Sequence, residues 1–143
     1  MKALLGSLIF IALCVSVLAG LIRGLGIAEP FVPDPESEVQ DFVSKLSAGR
    51  YDVAQANLSD DIKNEWQIAN LKQLDQELES KLGDYEIELG GQEEQQGKNA
   101  TYHALIKTEQ QDVQTIDFEL EQDQVTHLWK ISSLDALKEL AEK

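Results

Sequence analysis

Few side chains in this sequence are suited to chemistry, and they are scattered along it. The histidines are His103 and His127, the one cysteine is Cys14, and the tyrosines are Tyr51, Tyr85 and Tyr102. His127 falls in the alternation Val125, His127, Trp129, Ile131, which predicts an inward position near the start of the last strand. Histidine titrates near neutrality, so that position is open to acid–base chemistry. Tyr85 and Tyr102 fall on the apolar faces of earlier strands. A general base also needs a burial-shifted pKa and a partner within hydrogen-bond reach. The alternation puts Asp117 on a polar face, and it fixes no acidic residue beside His103 or His127. The expectation is therefore no catalytic residue, with His127, Tyr102 and Tyr85 as the only ligand-binding candidates.

Motifs for other chemistries are missing. The sequence has no H-E-x-x-H, no glycine-rich phosphate loop, no G-x-S-x-G and no calcium loop. Neither a metal site nor a cofactor is expected, and Cys14 alone offers the domain no disulfide, zinc site or thiol nucleophile. Asn57-Leu58-Ser59 and Asn99-Ala100-Thr101 match the glycosylation sequon, which matters only in a eukaryotic secretory host.

The element that places everything else is Ala3–Ile22, a run of 20 residues without a charge. At about 1.5 Å rise per residue, a helix of that length spans the roughly 30 Å hydrocarbon core of a bilayer. An uncleaved single-pass anchor is expected, with Lys2 on the cytoplasmic side and the domain facing the periplasm or cell exterior. The alternatives are secretion after cleavage at Val17-Leu18-Ala19 or Gly26-Ile27-Ala28, and a lipoprotein acylated at Cys14. Against the last, Leu13 stands where a lipobox has a small residue. Ala12, Ser16, Gly20 and Gly24 recur every four residues on one helix face, a spacing that allows self-association of two anchors.

All 26 acidic residues follow Ala28, but only 10 of the 12 basic ones do, so the part beyond the anchor carries a formal charge of −16. Such a surface repels nucleic-acid phosphates and anionic headgroups, and nucleic acid is excluded as a partner. A protein partner remains open. The expected organisation is an anchor over 1–23, a Gly/Pro linker over 24–34 carrying Pro30 and Pro33, and one domain over 35–143.

Within that domain Asp34 and Pro35 read as the N-cap and first position of a helix carrying Val39, Phe42, Val43 and Leu46, closed by Gly49. A short helix follows over Asp52–Asn57. A third starts at Ser59, carries Ile62, Trp66, Leu71, Leu74, Leu78 and Leu82, and stops at Gly83. The period then becomes alternating. Tyr85–Leu89 reads as a strand broken by Gly90-Gly91, and 92–98 as a loop. Strands centred on Tyr102–Ile106 and Ile116–Leu120 follow, then a tight turn at Gln122–Gln124 and a strand over Val125–Ile131. Ser132 and Asp135 read as a capping box for a helix over Leu134–Ala141. The fold class is α+β: after the transmembrane helix, three helices packed on a curved four-stranded antiparallel sheet, with a short C-terminal helix.

Two stretches carry a resemblance to a known family. They are EVQDFVSKLSAGRYDVAQANLSDD, with its first helix, glycine turn and short helix ending in Leu-Ser, and IDFELEQDQVTHLWKISSL, the final hairpin with its Trp-Lys-Ile strand. They resemble the nuclear-transport-factor-like superfamily, a cystatin-like α+β cone in which a curved sheet wraps a long helix. The resemblance implies a cone whose enzymatic members place Asp, Tyr or His inside, and it makes the surroundings of His127 the candidate cavity, with Tyr102 and Tyr85 at its mouth. It also resembles small membrane-anchored or exported bacterial domains. The expected function is a non-catalytic, membrane-anchored accessory domain that binds a protein partner or small ligand. The alternative is a cone-fold enzyme or small-molecule carrier using the cavity near His127.

Overall fold

The computed structural model describes residues 34–143. The expected anchor, its small-residue face, Cys14 and nearly all of the linker lie outside the described residues. Within them, no helix is long and apolar enough to cross a membrane.

Helix α1, Pro35–Ser47, begins as its residue types dictate. The Asp34 side chain accepts the Ser37 amide at 2.8 Å, and Pro35 occupies the first turn, where a missing N–H leaves nothing unsatisfied. Its apolar stripe, Val39, Phe42, Val43 and Leu46, is fully buried. A short α2, Tyr51–Ala54, runs into a 3-10 turn at Gln55–Asn57. The expected third helix is two helices: α3, Asp60–Lys63, and α4, Ile68–Leu82. Between them the Gln55 side-chain amide donates to the carbonyls of Lys63 (3.3 Å) and Trp66 (3.1 Å), satisfying the backbone where the helix breaks. Trp66 is buried all the same.

Four antiparallel strands follow, ordered as in the chain: β1 (Glu86–Gln96), β2 (Asn99–Lys107), β3 (Val113–Gln122) and β4 (Trp129–Ser133). Leu58 adds a one-residue parallel rung to Ile131, so the sheet continues past β4 by a single residue. Strict alternation buries Ala100, Tyr102, Ala104 and Ile106 on β2, and Ile116, Phe118 and Leu120 on β3. The register sets Tyr102 opposite Phe118 and Ala104 opposite Ile116. Helix α1 packs across this face against β1, β2 and β4, and α4 packs outside it on α1 and α2. The terminal helix α5, Asp135–Glu142, lies against α4 and β3.

Three expectations about the strands need correction. β1 does not stop at Gly90-Gly91, and 92–98 is not a loop. The pairing slips there as a bulge and resumes from Gln92 to Gln96, making β1 an 11-residue edge strand. The glycines are needed for two different reasons. Gly90 sits at φ 96°, and a Cβ on Gly91 would stand 2.6 Å from the Tyr102 ring and from the His103 carbonyl oxygen.

The last strand starts at Trp129, not at Val125. Asp123 takes over the preceding segment, its Oδ1 accepting Val125 N–H (2.9 Å), Thr126 N–H (2.8 Å) and the Thr126 hydroxyl (3.0 Å). That Asx-type turn holds the chain out of the ladder and leaves Val125 88% exposed. At α5 the expected capping box is not formed: the N-cap is Leu134, with no side-chain cap hydrogen bond, and the Ser133 hydroxyl, not that of Ser132, accepts the Asp135 amide at 3.2 Å.

Candidate functional site

The concave face of the sheet is where the ligand-binding candidates were expected to meet. Phe42 and Leu46 of α1 fill it from above, Tyr102 and Phe118 from the sheet, and Ile106, Leu120 and Ile131 around them; each of these side chains is at most 1% exposed. Two clefts lie elsewhere. One of about 340 Å³ opens between Ser59–Asp61 and the β3–β4 turn, and one of about 220 Å³ between α4 and α5, lined by Trp66 and Leu74. Neither is lined by Phe42, Tyr102 or Phe118.

The three candidates are not brought together. Tyr102 stands in the packed interior, its hydroxyl against Gly91 and without a hydrogen-bond partner among the described residues. Burial is the main cause pushing its phenol pKa up, and the nearby Glu36 carboxylate adds to it. His127 is exposed on the β3–β4 turn, at φ 59°, so its expected inward position does not hold. Its main-chain N–H donates to the Asp123 carbonyl at 2.9 Å, and its carbonyl accepts the Gln122 side chain at 2.8 Å. The left-handed backbone that closes this turn is what takes the ring off the strand.

Tyr85 belongs to a different cluster. Its hydroxyl donates to Asp75 Oδ1 at 2.7 Å, while the Tyr51 hydroxyl donates to Oδ2 of the same carboxylate at 2.5 Å. Asp75 is 3% exposed, so both oxygens of a buried acid are satisfied by phenols, from α2 on one side and from the residue just before β1 on the other. The hydrogen bond to Asp75 pushes the Tyr51 pKa up to about 12. Burial first, and the same carboxylate second, push that of Tyr85 well above its ordinary range. Both phenols therefore keep their protons at neutral pH. Chemically this is a clamp, not an acid–base pair.

A second polar network joins α1 to the 3-10 turn. The buried Asn57 amide donates to Glu38 (2.9 Å) and Asp41 (3.0 Å), and its oxygen accepts Lys45 Nζ at 3.2 Å. Burial raises the Glu38 pKa, an effect the Asn57 hydrogen bond partly offsets. With its amide so engaged, Asn57 is not presented as a sequon, whereas Asn99 is exposed at the start of β2.

One acid–histidine pair does exist, and it was not expected. His103 and Asp117 are directly opposite on β2 and β3, with Nδ1 and Oδ1 2.6 Å apart, on the face of the sheet away from α1. Among the described residues no three His, Cys, Asp or Glu side chains converge to hold a metal ion, and neither histidine ring is hydrogen-bonded to a hydroxyl.

No family model matches the chain, and no curated protein does. A solved structure does: a Campylobacter jejuni protein, named as an NTF2-like transpeptidase, superposes with a TM-score of 0.52 over 71% of this chain and 99% of its own, at 13% identity. The fold is NTF2-like. At that identity the likeness speaks for the cone architecture alone. Within the NTF2-like cone of this chain, the Phe42, Tyr102 and Phe118 side chains are packed to at most 1% exposure.

Proposed function

We propose that this chain is a membrane-anchored accessory domain, facing the periplasm or cell exterior, that binds a protein partner or small ligand through its outer surface and does not catalyse a reaction. The observation that carries this reading is the filled cone: a substrate would have to displace side chains that are at most 1% exposed. The charge-free run Ala3–Ile22 supports the anchor, with Ala12, Ser16, Gly20 and Gly24 as the face through which two anchors could associate. The formal charge of −16 beyond Ala28 favours a neutral or cationic partner over nucleic acid.

Transpeptidation, the activity in the name of the similar Campylobacter protein, is not extended to this chain. It needs a nucleophile beside a base: among the described residues neither histidine ring is hydrogen-bonded to a serine, threonine or tyrosine hydroxyl, His103 facing carboxylates instead, and the one cysteine, Cys14, lies in the apolar N-terminal run. Fractionation with N-terminal sequencing, joined to protease treatment of spheroplasts, tests the placement. The full-length chain should stay in the membrane fraction and be digested from outside. A soluble product beginning at Gly20 or Glu29, or protection of the domain in intact spheroplasts, would overturn it.

A further inference from the structure

The open face of the sheet carries an arrangement that the filled cone does not explain. His103 stands mid-strand on β2, between carboxylates of both neighbouring strands: Asp117 of β3 at 2.6 Å from Nδ1, and Glu94 of β1 at 3.7 Å from Nε2. A neutral imidazole has one N–H. Given to Asp117, it leaves Nε2 as an acceptor facing the acceptor oxygens of Glu94. Only the imidazolium, with two N–H groups and a positive charge, attracts both, through a hydrogen bond to Asp117 and an ion pair at 3.7 Å to Glu94.

The strand that Glu94 belongs to is in a position to respond. β1 is an edge strand, and its pairing with β2 slips between Glu88 and Gln92. The slip contains Gly90, in a left-handed conformation with open space around its Cα. Beyond it, among the described residues, Gln92–Gln96 pairs with Asn99–His103 alone, so its hold on the body of the sheet passes through β2. The contact from Glu94 through His103 to Asp117 is a side-chain tie running from this distal hairpin to β3.

We propose that His103 is a proton-operated clasp: its imidazolium ties the distal half of β1 to β3 through Glu94 and Asp117, and loss of the proton frees the hairpin to open at Gly90-Gly91. The other charged groups near it are of both signs. Glu119 lies on the same face of β3 as Asp117, and Glu88 is paired with Lys107 at 3.6 Å on the near side of the bulge. Glu139 and Lys143 of α5 share a cleft with Asp117. The Asp117 hydrogen bond, outweighing partial burial, raises the His103 pKa above 6.5, with the Asp117 and Glu94 charges adding to it. A raised folded-state pKa means the tie is fully present below the unfolded value and is lost as pH rises through the folded one.

The test is imidazole NMR on the full-length chain, combined with amide exchange. The chain has two histidines, so His127→Gln leaves only the His103 signal. That signal should titrate above pH 6.5. The amides of Gln92–Gln96, corrected for intrinsic exchange, should gain protection relative to Glu86–Glu88 as pH falls through the same midpoint. Asp117→Asn should lower the midpoint. Glu94→Gln, at an exposed position that leaves folding intact, should lower it too and remove the pH-dependent protection. A midpoint at or below 6.5, a midpoint unmoved by Glu94→Gln, or a protection ratio constant with pH would overturn the clasp.

Discussion

Phe118→Ala puts the filled cone under direct strain. Phe118 is 1% exposed and faces Tyr102, 0% exposed, across the β2–β3 ladder beneath α1. Removing the ring loses about 1.5–3 kcal/mol of burial and leaves a cavity whose lining is held by the strand register, so the total is about 4 kcal/mol. With an m-value of about 2 kcal/mol per M urea, the unfolding midpoint should fall by about 2 M. The assay is urea denaturation of the full-length chain in detergent micelles, followed by Trp66 and Trp129 fluorescence. If the interior were an open ligand pocket, the ring would have few partners to lose. A loss below about 1 kcal/mol, close to the typical point mutation, would refute the reasoning.

Two further substitutions separate the remaining roles. Asp75→Ala strips two phenols of their acceptor; with Tyr85 buried and Tyr51 able to rehydrate, it should cost about 2–4 kcal/mol. In the same variant, ultraviolet titration should show the Tyr51 phenol falling from about 12 back toward 10.0, and an unchanged titration would break the clamp. His127→Gln should change stability by less than about 0.5 kcal/mol, because the ring is exposed on a turn held by the Asp123 and Gln122 side chains and by main-chain hydrogen bonds, not by the ring. It should also complement a deletion strain fully; failure to complement by a folded, normally abundant variant would return His127 to the functional residues.

Much of this fold was legible because local signals were unambiguous. Asp34-Pro35 fixes where α1 begins, and the alternation around Tyr102 and Phe118 gives β2 and β3 their buried faces. What failed was alternation read without its turns. Val125 and His127 keep the period of Trp129 and Ile131, but Asp123 with Thr126 three residues on is a turn signal strong enough to override it. Gly90-Gly91 reads as a break, and only the pairing partner shows it to be a bulge. The Tyr51–Asp75–Tyr85 clamp had a visible mark, an acid set on the buried stripe of Leu71, Leu74, Leu78 and Leu82, though its partners come from distant elements. The His103–Asp117 pair required the β2–β3 register, which the length of the intervening turn decides and no single strand displays.

The claim that the cone is filled can be measured without knowing any ligand. Xenon enters apolar cavities but not close-packed interiors, and an engineered cavity left by one large side chain is big enough to hold it. Under xenon pressure, the side-chain NMR signals of Phe42, Tyr102 and Phe118 in the full-length chain should stay unmoved, and the Phe42 and Tyr102 signals should shift, saturating, in Phe118→Ala. Saturable shifts of these residues in the unaltered chain would mean that the NTF2-like cone holds an open cavity, and the non-catalytic reading would lose its support.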